Sequence, residues 1–199
     1  MDFTVFLSTF GVIFLAELGD KTQLTAMALA TRYPWKRVFI GLAGAFALLN
    51  LAAVVLGSLL FAVLPLFWIK IASGALFLFF GVATLRTKEF DEKEEREEET
   101  RLQARGPVAA SFIMIMLAEI GDKTQLVTAS LAAQHDSPLM VFAASTLALW
   151  SVSLIGIFAG RQLVRRIKLA TLHKAAGFMF LAFGAAVLFQ ALAARQTAG

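Results

Sequence analysis

Leu15-Ala16-Glu17-Leu18-Gly19-Asp20-Lys21-Thr22-Gln23-Leu24 recurs, with one substitution, as Leu117-Ala118-Glu119-Ile120-Gly121-Asp122-Lys123-Thr124-Gln125-Leu126. Each copy lies inside a long apolar stretch. On insertion scales a charged side chain at the centre of a membrane helix costs about 2.5–3.5 kcal/mol. Two copies place Glu17, Asp20, Lys21, Glu119, Asp122 and Lys123 in that position. A chain that bears this cost twice, in one spelling, is read as using the charges. Intramembrane ionisable groups of this kind mark an ion or proton pathway.

Working outward, the 199 residues are 59% hydrophobic and 16% charged, with 19 Phe and a mean hydropathy of +0.76. Soluble domains are nearer half apolar and a quarter charged, so this is an integral membrane protein. The absence of cysteine excludes disulfides, thiolate metal sites and cysteine nucleophiles. A net charge of +4 does not indicate nucleic acid, because most basic residues sit in short loops between apolar runs. The chain opens Met1-Asp2-Phe3 rather than with a basic segment, and its first apolar run carries the motif. That run therefore reads as a retained helix rather than a cleaved signal.

Six spans emerge at 3–30, 38–63, 66–86, 108–133, 139–164 and 170–193, each near the 20 or so apolar residues that a bilayer requires. Tyr33-Pro34, Pro65 and Ser137-Pro138 punctuate the short connections, and Gly106-Pro107 opens the fourth span. Residues 87–107 form an acidic linker holding eight of the 14 carboxylates, read as a solvated segment. Outside it stand six acids: Asp2 at a terminus, Asp136 in a loop, and the four motif carboxylates. Every acid within an apolar span thus belongs to the repeat.

The repeat extends beyond the motif. Gly74, Phe77, Leu78, Phe80, Gly81, Ala83 and Leu85 in the third span match Gly177, Phe180, Leu181, Phe183, Gly184, Ala186 and Leu188 in the sixth. The offset is 103 there and 102 at the motif, which indicates a duplicated three-helix unit. The expected organisation is 1–86 as first repeat, 87–107 as cytoplasmic linker and 108–199 as second repeat. Setting aside Lys21 and Lys123, 14 of the remaining 16 basic residues fall in the connections after spans one, three and five, leaving only Lys70 and Arg195 opposite. The positive-inside rule then puts both termini outside. An odd number of spans per unit inverts the second unit, the construction common in secondary transporters, whose substrate site lies near the midplane between repeats.

At 100° per residue, the Glu, Asp and Lys of each motif (i, i+3, i+4) share one helix face. A structural reading pairs Glu17 with Lys21 and Glu119 with Lys123, but leaves one excess acid per helix. Fully ionised, the two motifs sum to −2, which one divalent cation or two protons would neutralise. That is the minimal logic of an antiporter. Carboxylates, the carboxamides of Gln23 and Gln125 and the hydroxyls of Thr22 and Thr124 form an oxygen-rich set, suited to Ca²⁺, Mn²⁺ and Mg²⁺ rather than Zn²⁺ or Cu⁺. His135 and His173 lie at span ends and read as surface residues. Gly19 and Gly121 would permit local unwinding. On an unbroken helix Thr22 points about 140° from Glu17 and bonds the Leu18 carbonyl instead. Asn50, Ser145, Thr146, Ser151 and Ser153 are candidates to line a path, with helix packing the commoner role.

Two Glu-x-Gly-Asp-Lys-Ser/Thr motifs on the first and fourth of six spans resemble those of the cation/proton exchanger family that includes the Golgi manganese and calcium transporters and bacterial manganese exporters. The resemblance covers essentially the whole chain. It implies antiport of Mn²⁺, or else Ca²⁺, against protons, with Glu17, Asp20, Glu119 and Asp122 as the cation site and Lys21, Thr22, Gln23, Lys123, Thr124 and Gln125 around it. It further implies metal export across a bacterial inner membrane, with no cofactor beyond the transported ion, no enzymatic activity, and lipid, metal and protons as partners. Rival readings are a small-solute or amino-acid exporter of related six-helix fold, a passive channel and an intramembrane aspartyl hydrolase. The last would rest on paired Asp alone, since no span centre carries a His.

Overall fold

The computed structural model describes residues 3–86, 106–166 and 169–197; the side chains of Lys21, Leu24, residues 159–170, Leu172, His173 and residues 196–197 lie outside that description. The acidic linker, apart from Gly106 and Pro107, falls outside it too. Among the described residues there are eight α-helices and no strand: α1 (Phe3–Glu17), α2 (Lys21–Arg32), α3 (Trp35–Val63), α4 (Leu66–Arg86), α5 (Pro107–Glu119), α6 (Lys123–Gln134), α7 (Pro138–Arg166) and α8 (Leu169–Thr197).

Proline sets several of these boundaries. Pro34 precedes α3 and Pro65 precedes α4, while Pro107 and Pro138 are the first residues of α5 and α7. A ring that lacks an N–H and fixes φ fits the first turn, where amides have no helical partner. Four helices contain stretches long and apolar enough to cross a bilayer: Trp35–Val63, Leu66–Arg86, Pro138–Phe158 and Lys174–Arg195. Phe3–Glu17 and Pro107–Glu119 are apolar but shorter. The spans 3–30 and 108–133, where Gly19 and Gly121 permit unwinding, are each interrupted at the motif. Leu48, Leu51, Val55 and Leu59 form an exposed stripe at helical spacing along α3. An apolar outer face of this kind suits lipid as the surrounding medium.

Packing is an exchange between the halves. Helix α3 lies against α5 and α6 of the second half, and α7 lies against α1 and α2 of the first. Corresponding helices meet antiparallel. Along α3 and α7, Trp35 meets Phe158 at a centroid distance of 4.8 Å, the Trp150 indole N–H donates to the Ala43 carbonyl (3.2 Å), and the Asn50 amide donates to Thr146 (3.2 Å). Helices α4 and α8 do the same with the second sequence match. A Cβ on Gly74 would sit 2.6 Å from Leu188 Cγ, and one on Gly177 2.6 Å from Leu85 Cγ. Each copy's first glycine receives the other copy's last leucine. Small residues let the two backbones approach, which is how helices gain dispersion energy where lipid offers no hydrophobic drive. Phe77 fills the centre of this seam, 4.8 Å from Phe183 and 6.0 Å from Phe180 by ring centroids.

Candidate functional site

The motif breaks its helix by one device used twice. The chain is helical to Glu17 and again from Lys21; between them Gly19 takes φ +88°. In the second copy the helix ends at Glu119 and resumes at Lys123, with Gly121 at φ +77°. Positive φ is open to glycine and costly to side-chain-bearing residues, so the Gly at this position allows the helix to stop. The turn hydrogen bonds repeat: Asp20 N–H to the Glu17 carbonyl (3.1 Å) and Asp122 N–H to that of Glu119 (3.0 Å), then Gln23 N–H to Asp20 and Gln125 N–H to Asp122 (both 3.1 Å).

The glutamines hold the break in place. Gly19 N–H donates to Gln23 Oε1 at 2.7 Å, and Gly121 N–H to Gln125 Oε1 at 3.0 Å. Those carboxamide oxygens serve the turn, a supporting place beside the carboxylates. Asp122 stands at the N-cap of α6 with extended backbone and makes no side-chain capping bond. A capping Asp ordinarily spends its carboxylate on the first helical amides.

With the helices broken, the side chains cross between halves. Thr22 donates its hydroxyl to Glu119 Oε1, and Thr124 donates to Glu17 Oε1. The direction expected for Thr22 on a continuous helix is therefore superseded. Lys123 pairs with Asp20 Oδ2 across the two halves rather than with the glutamate of its own helix. One oxygen each from Glu17, Glu119 and Asp122 lies within 4.8 Å of the others. Ligand oxygens around a Ca²⁺-sized ion at 2.3–2.6 Å stand at most about 5.2 Å apart, so this triangle is of ion dimensions. Glu17 is 1% exposed and Glu119 3%. Among the described residues, Glu17 Oε2 and Asp122 Oδ2 are buried with no hydrogen-bond partner. A buried carboxylate oxygen left unpaired costs several kcal/mol unless a cation or proton meets it.

The four carboxylates predicted from sequence thus meet as three plus one, with Asp20 held by Lys123. Thr22 and Thr124 join them, Gln23 and Gln125 support them, and the side chain of Lys21 lies outside the described residues. Ser145, Ser151 and Ser153 bond carbonyls of their own helix, and Asn50 bonds Thr146, all of which is helix packing. Sequence reading missed Thr9 and Thr128, whose fully buried hydroxyls have no partner. Thr128 stands one turn beyond Thr124, and that i, i+4 spacing is the signal that could have found it.

The family described as "Divalent cation/proton antiporter GDT1" matches residues 5–92 and 107–195. A GDT1-like protein of Synechocystis sp. is 33% identical over 196 residues, covering 90% of this chain and 94% of its own length. A protein of Vibrio cholerae named "Putative manganese exporter" is 33% identical over 183 residues, covering 88% of this chain and 86% of its own length. The chloroplastic GDT1-like protein 1 of Oryza sativa subsp. indica is 29% identical over 213 residues, covering 94% of this chain and 62% of the relative. No solved structure matches. The helical architecture, the paired motifs and these matches agree: the chain belongs to the divalent cation/proton antiporter GDT1 family.

Proposed function

We propose that this chain exports Mn²⁺ from the bacterial cytoplasm in exchange for protons, Ca²⁺ being the second candidate ion, and that Glu17, Asp20, Glu119 and Asp122 are its ligands. The observation that carries the reading is the meeting of Glu17, Glu119 and Asp122 oxygens within 4.8 Å, drawn from both halves, with two of the carboxylates keeping a buried unpaired oxygen. Support for the ion comes from the relative named as a manganese exporter. Support for six spans as two inverted repeats (1–86 and 108–199, joined by 87–107) comes from the antiparallel pairing of α3 with α7 and α4 with α8. Helix pairs α1–α2 and α5–α6 then serve as broken first and fourth spans. Broken helices at the midplane are how transporters place charged termini at an ion.

Exchange follows from competition. Metal needs ionised oxygens, so a site that accepts protons on the same atoms releases metal as it is protonated. With four carboxylates and two lysines the motifs sum to −2, matched by M²⁺ or 2H⁺. Apparent metal affinity therefore weakens as pH falls on the binding side. Proton entry down its gradient drives metal outward. Thr22, Lys123 and Thr124 hold the carboxylates by the crossed bonds, Gln23 and Gln125 keep the breaks open, and Lys21 completes the supporting set read from the motif.

The decisive test is flux in proteoliposomes. An imposed pH gradient should drive Mn²⁺ accumulation, Ca²⁺ should compete, and lysine should not be moved. Mn²⁺ flux indifferent to pH on both sides would make the protein a channel. Transport of lysine without metal would favour the small-solute exporter. For topology, Ser137→Cys should react with an impermeant thiol reagent from outside the cell and Thr100→Cys should not. Labelling of Thr100→Cys in intact cells would reverse the orientation.

A further inference from the structure

Lys123 is the unusual member of the cluster. It is the first residue of α6, adjacent in sequence to Asp122, yet its ammonium crosses to Asp20 of the other half. Its side chain is 20% exposed and that of Asp20 4%. The compact carboxylate triangle contains Glu17, Glu119 and Asp122, and Asp20 stands beside it, paired with Lys123. An ammonium at a carboxylate neutralises it as a metal would, but on a tether that cannot leave the protein.

We propose that Lys123 is a tethered competitor of the transported cation for Asp20: the carboxylate is paired with the ammonium here, and loading transfers it to the ion. This deepens the metal-exchange reading and rests on it. The chemistry of the pair supports exchange of partners. Lysine is a compact point charge on a flexible stem, and its attraction to a carboxylate is monodentate and easily re-aimed. A divalent ion beside three carboxylates carries twice its charge and takes six to eight oxygens. The triangle supplies three carboxylates, so Asp20 is the next charged ligand within reach of the same helix breaks. Because Lys123 and Asp20 belong to opposite halves, the pair also ties the halves together. Its release on loading couples occupancy to the relative position of α2 and α6. Linkage requires the reciprocal: whatever strengthens the Lys123–Asp20 pair weakens metal by the same factor.

The test is a double-mutant cycle read by equilibrium Mn²⁺ binding to purified protein in nanodiscs, following loss of the free-ion electron paramagnetic resonance signal at fixed pH. In Lys123→Gln, Asp20 is released to the ion, and Mn²⁺ should bind at least ~5-fold tighter than in the wild type, within the usual range of site-to-site coupling. In the Asp20→Asn background the same Lys123→Gln change should give no such gain. A gain of equal size in both backgrounds would mean that Lys123 acts only by general repulsion, and the proposal fails. Loss of Mn²⁺ binding in Lys123→Gln would make the lysine a structural support, and the proposal fails there also. Helical circular dichroism and elution volume identify any variant that has not folded. In that event Lys123→Met serves as the second variant, with the same two outcomes. Wild-type protein that binds no Mn²⁺ would instead sink the metal-exchange reading itself, a result distinct from either failure of the lysine.

Discussion

The two copies of the motif differ at one position in ten and make the same turns, yet their surroundings differ. In the first copy Gly19 is buried and Asp20 is 3% exposed. In the second, Gly121 is exposed and Ile120 is 66% exposed. Helix α7 covers the first break: a Cβ on Gly156 would lie 2.7 Å from the Gln23 carbonyl oxygen. On the second half a Cβ on Gly57 of α3 would press on the Ala129 carbonyl of α6, while among the described residues nothing stands within 4 Å of a Cβ on Gly121 itself. A near-symmetric sequence has therefore settled into an asymmetric arrangement, closed over one motif and open beside the other. A difference in exposure between two copies of one motif is what alternating access built from repeats would exchange.

The strongest way to break the comparison is to remove equivalent ligands. Glu17→Gln and Glu119→Gln each delete a charged oxygen and a proton acceptor while preserving shape. Both should lower Mn²⁺/H⁺ exchange by ~100-fold or more, an oxygen-for-amide change in a buried charged site being worth ~3 kcal/mol. Flux assays in proteoliposomes would show it. Near-normal exchange in one variant alone would mean that only one motif binds the ion and that the duplication is structural.

Next in size is the cover. Gly156→Leu would force a side chain against the Gln23 backbone, and overpacking of this kind costs about 1–3 kcal/mol. Thermal unfolding should shift down and exchange should be lost with α7 held off α2. Gly11→Leu is the matched control, since nothing lies within 4 Å of a Cβ there. It should change stability by no more than ~0.5 kcal/mol.

Much of this was legible in the sequence because the membrane makes polar residues conspicuous. With four acids in all the apolar spans, Glu17, Asp20, Glu119 and Asp122 stood out as the candidates, and proline marked the helix starts. The match around Gly74 and Gly177 indicated a duplicated unit; that the two stretches pack on each other is shown only by the structure. Partnership was not legible. Periodicity on a continuous helix pairs Lys123 with Glu119 and turns Thr22 away from the site; the breaks at Gly121 and Gly19 redirect them. Glycine signalled that unwinding was possible, but the backbone amide it frees had to find Gln125 before the turn could form. Asymmetry was invisible for a simpler reason. Nearly identical strings cannot say which copy is covered, since that is decided by where α7 and α3 come to rest.

The exposure difference sharpens into an accessibility experiment, aided by the absence of native cysteine. Ile120→Cys should react with a hydrophilic maleimide faster than Leu18→Cys, because thiolates form and react in water and not in lipid. Adding Mn²⁺ and an opposing pH gradient should narrow or reverse the ratio as the halves exchange places. Equal rates that no gradient alters would mean that Ile120 faces lipid, and the open side would have to be sought elsewhere.

The smallest expected effect concerns the crossed hydroxyls. Thr22 and Thr124 each donate to the glutamate of the other half, and hydrogen bonds to charged groups contribute about 1.5–3 kcal/mol. Thr22→Ala and Thr124→Ala should therefore each weaken apparent Mn²⁺ affinity by roughly 10-fold, with folding retained, if the bond pre-orients its carboxylate for the ion. Thr22→Ser and Thr124→Ser keep the hydroxyl and lose a methyl group, and both should stay within about 3-fold of the parent. The pattern matters more than either value. Equal losses from the two alanine variants mean that the crossed bonds survive the exchange of open and closed sides. A loss confined to Thr22→Ala, whose hydroxyl meets the glutamate beside the open break, would tie that bond to one side of the cycle and make the asymmetry functional rather than incidental.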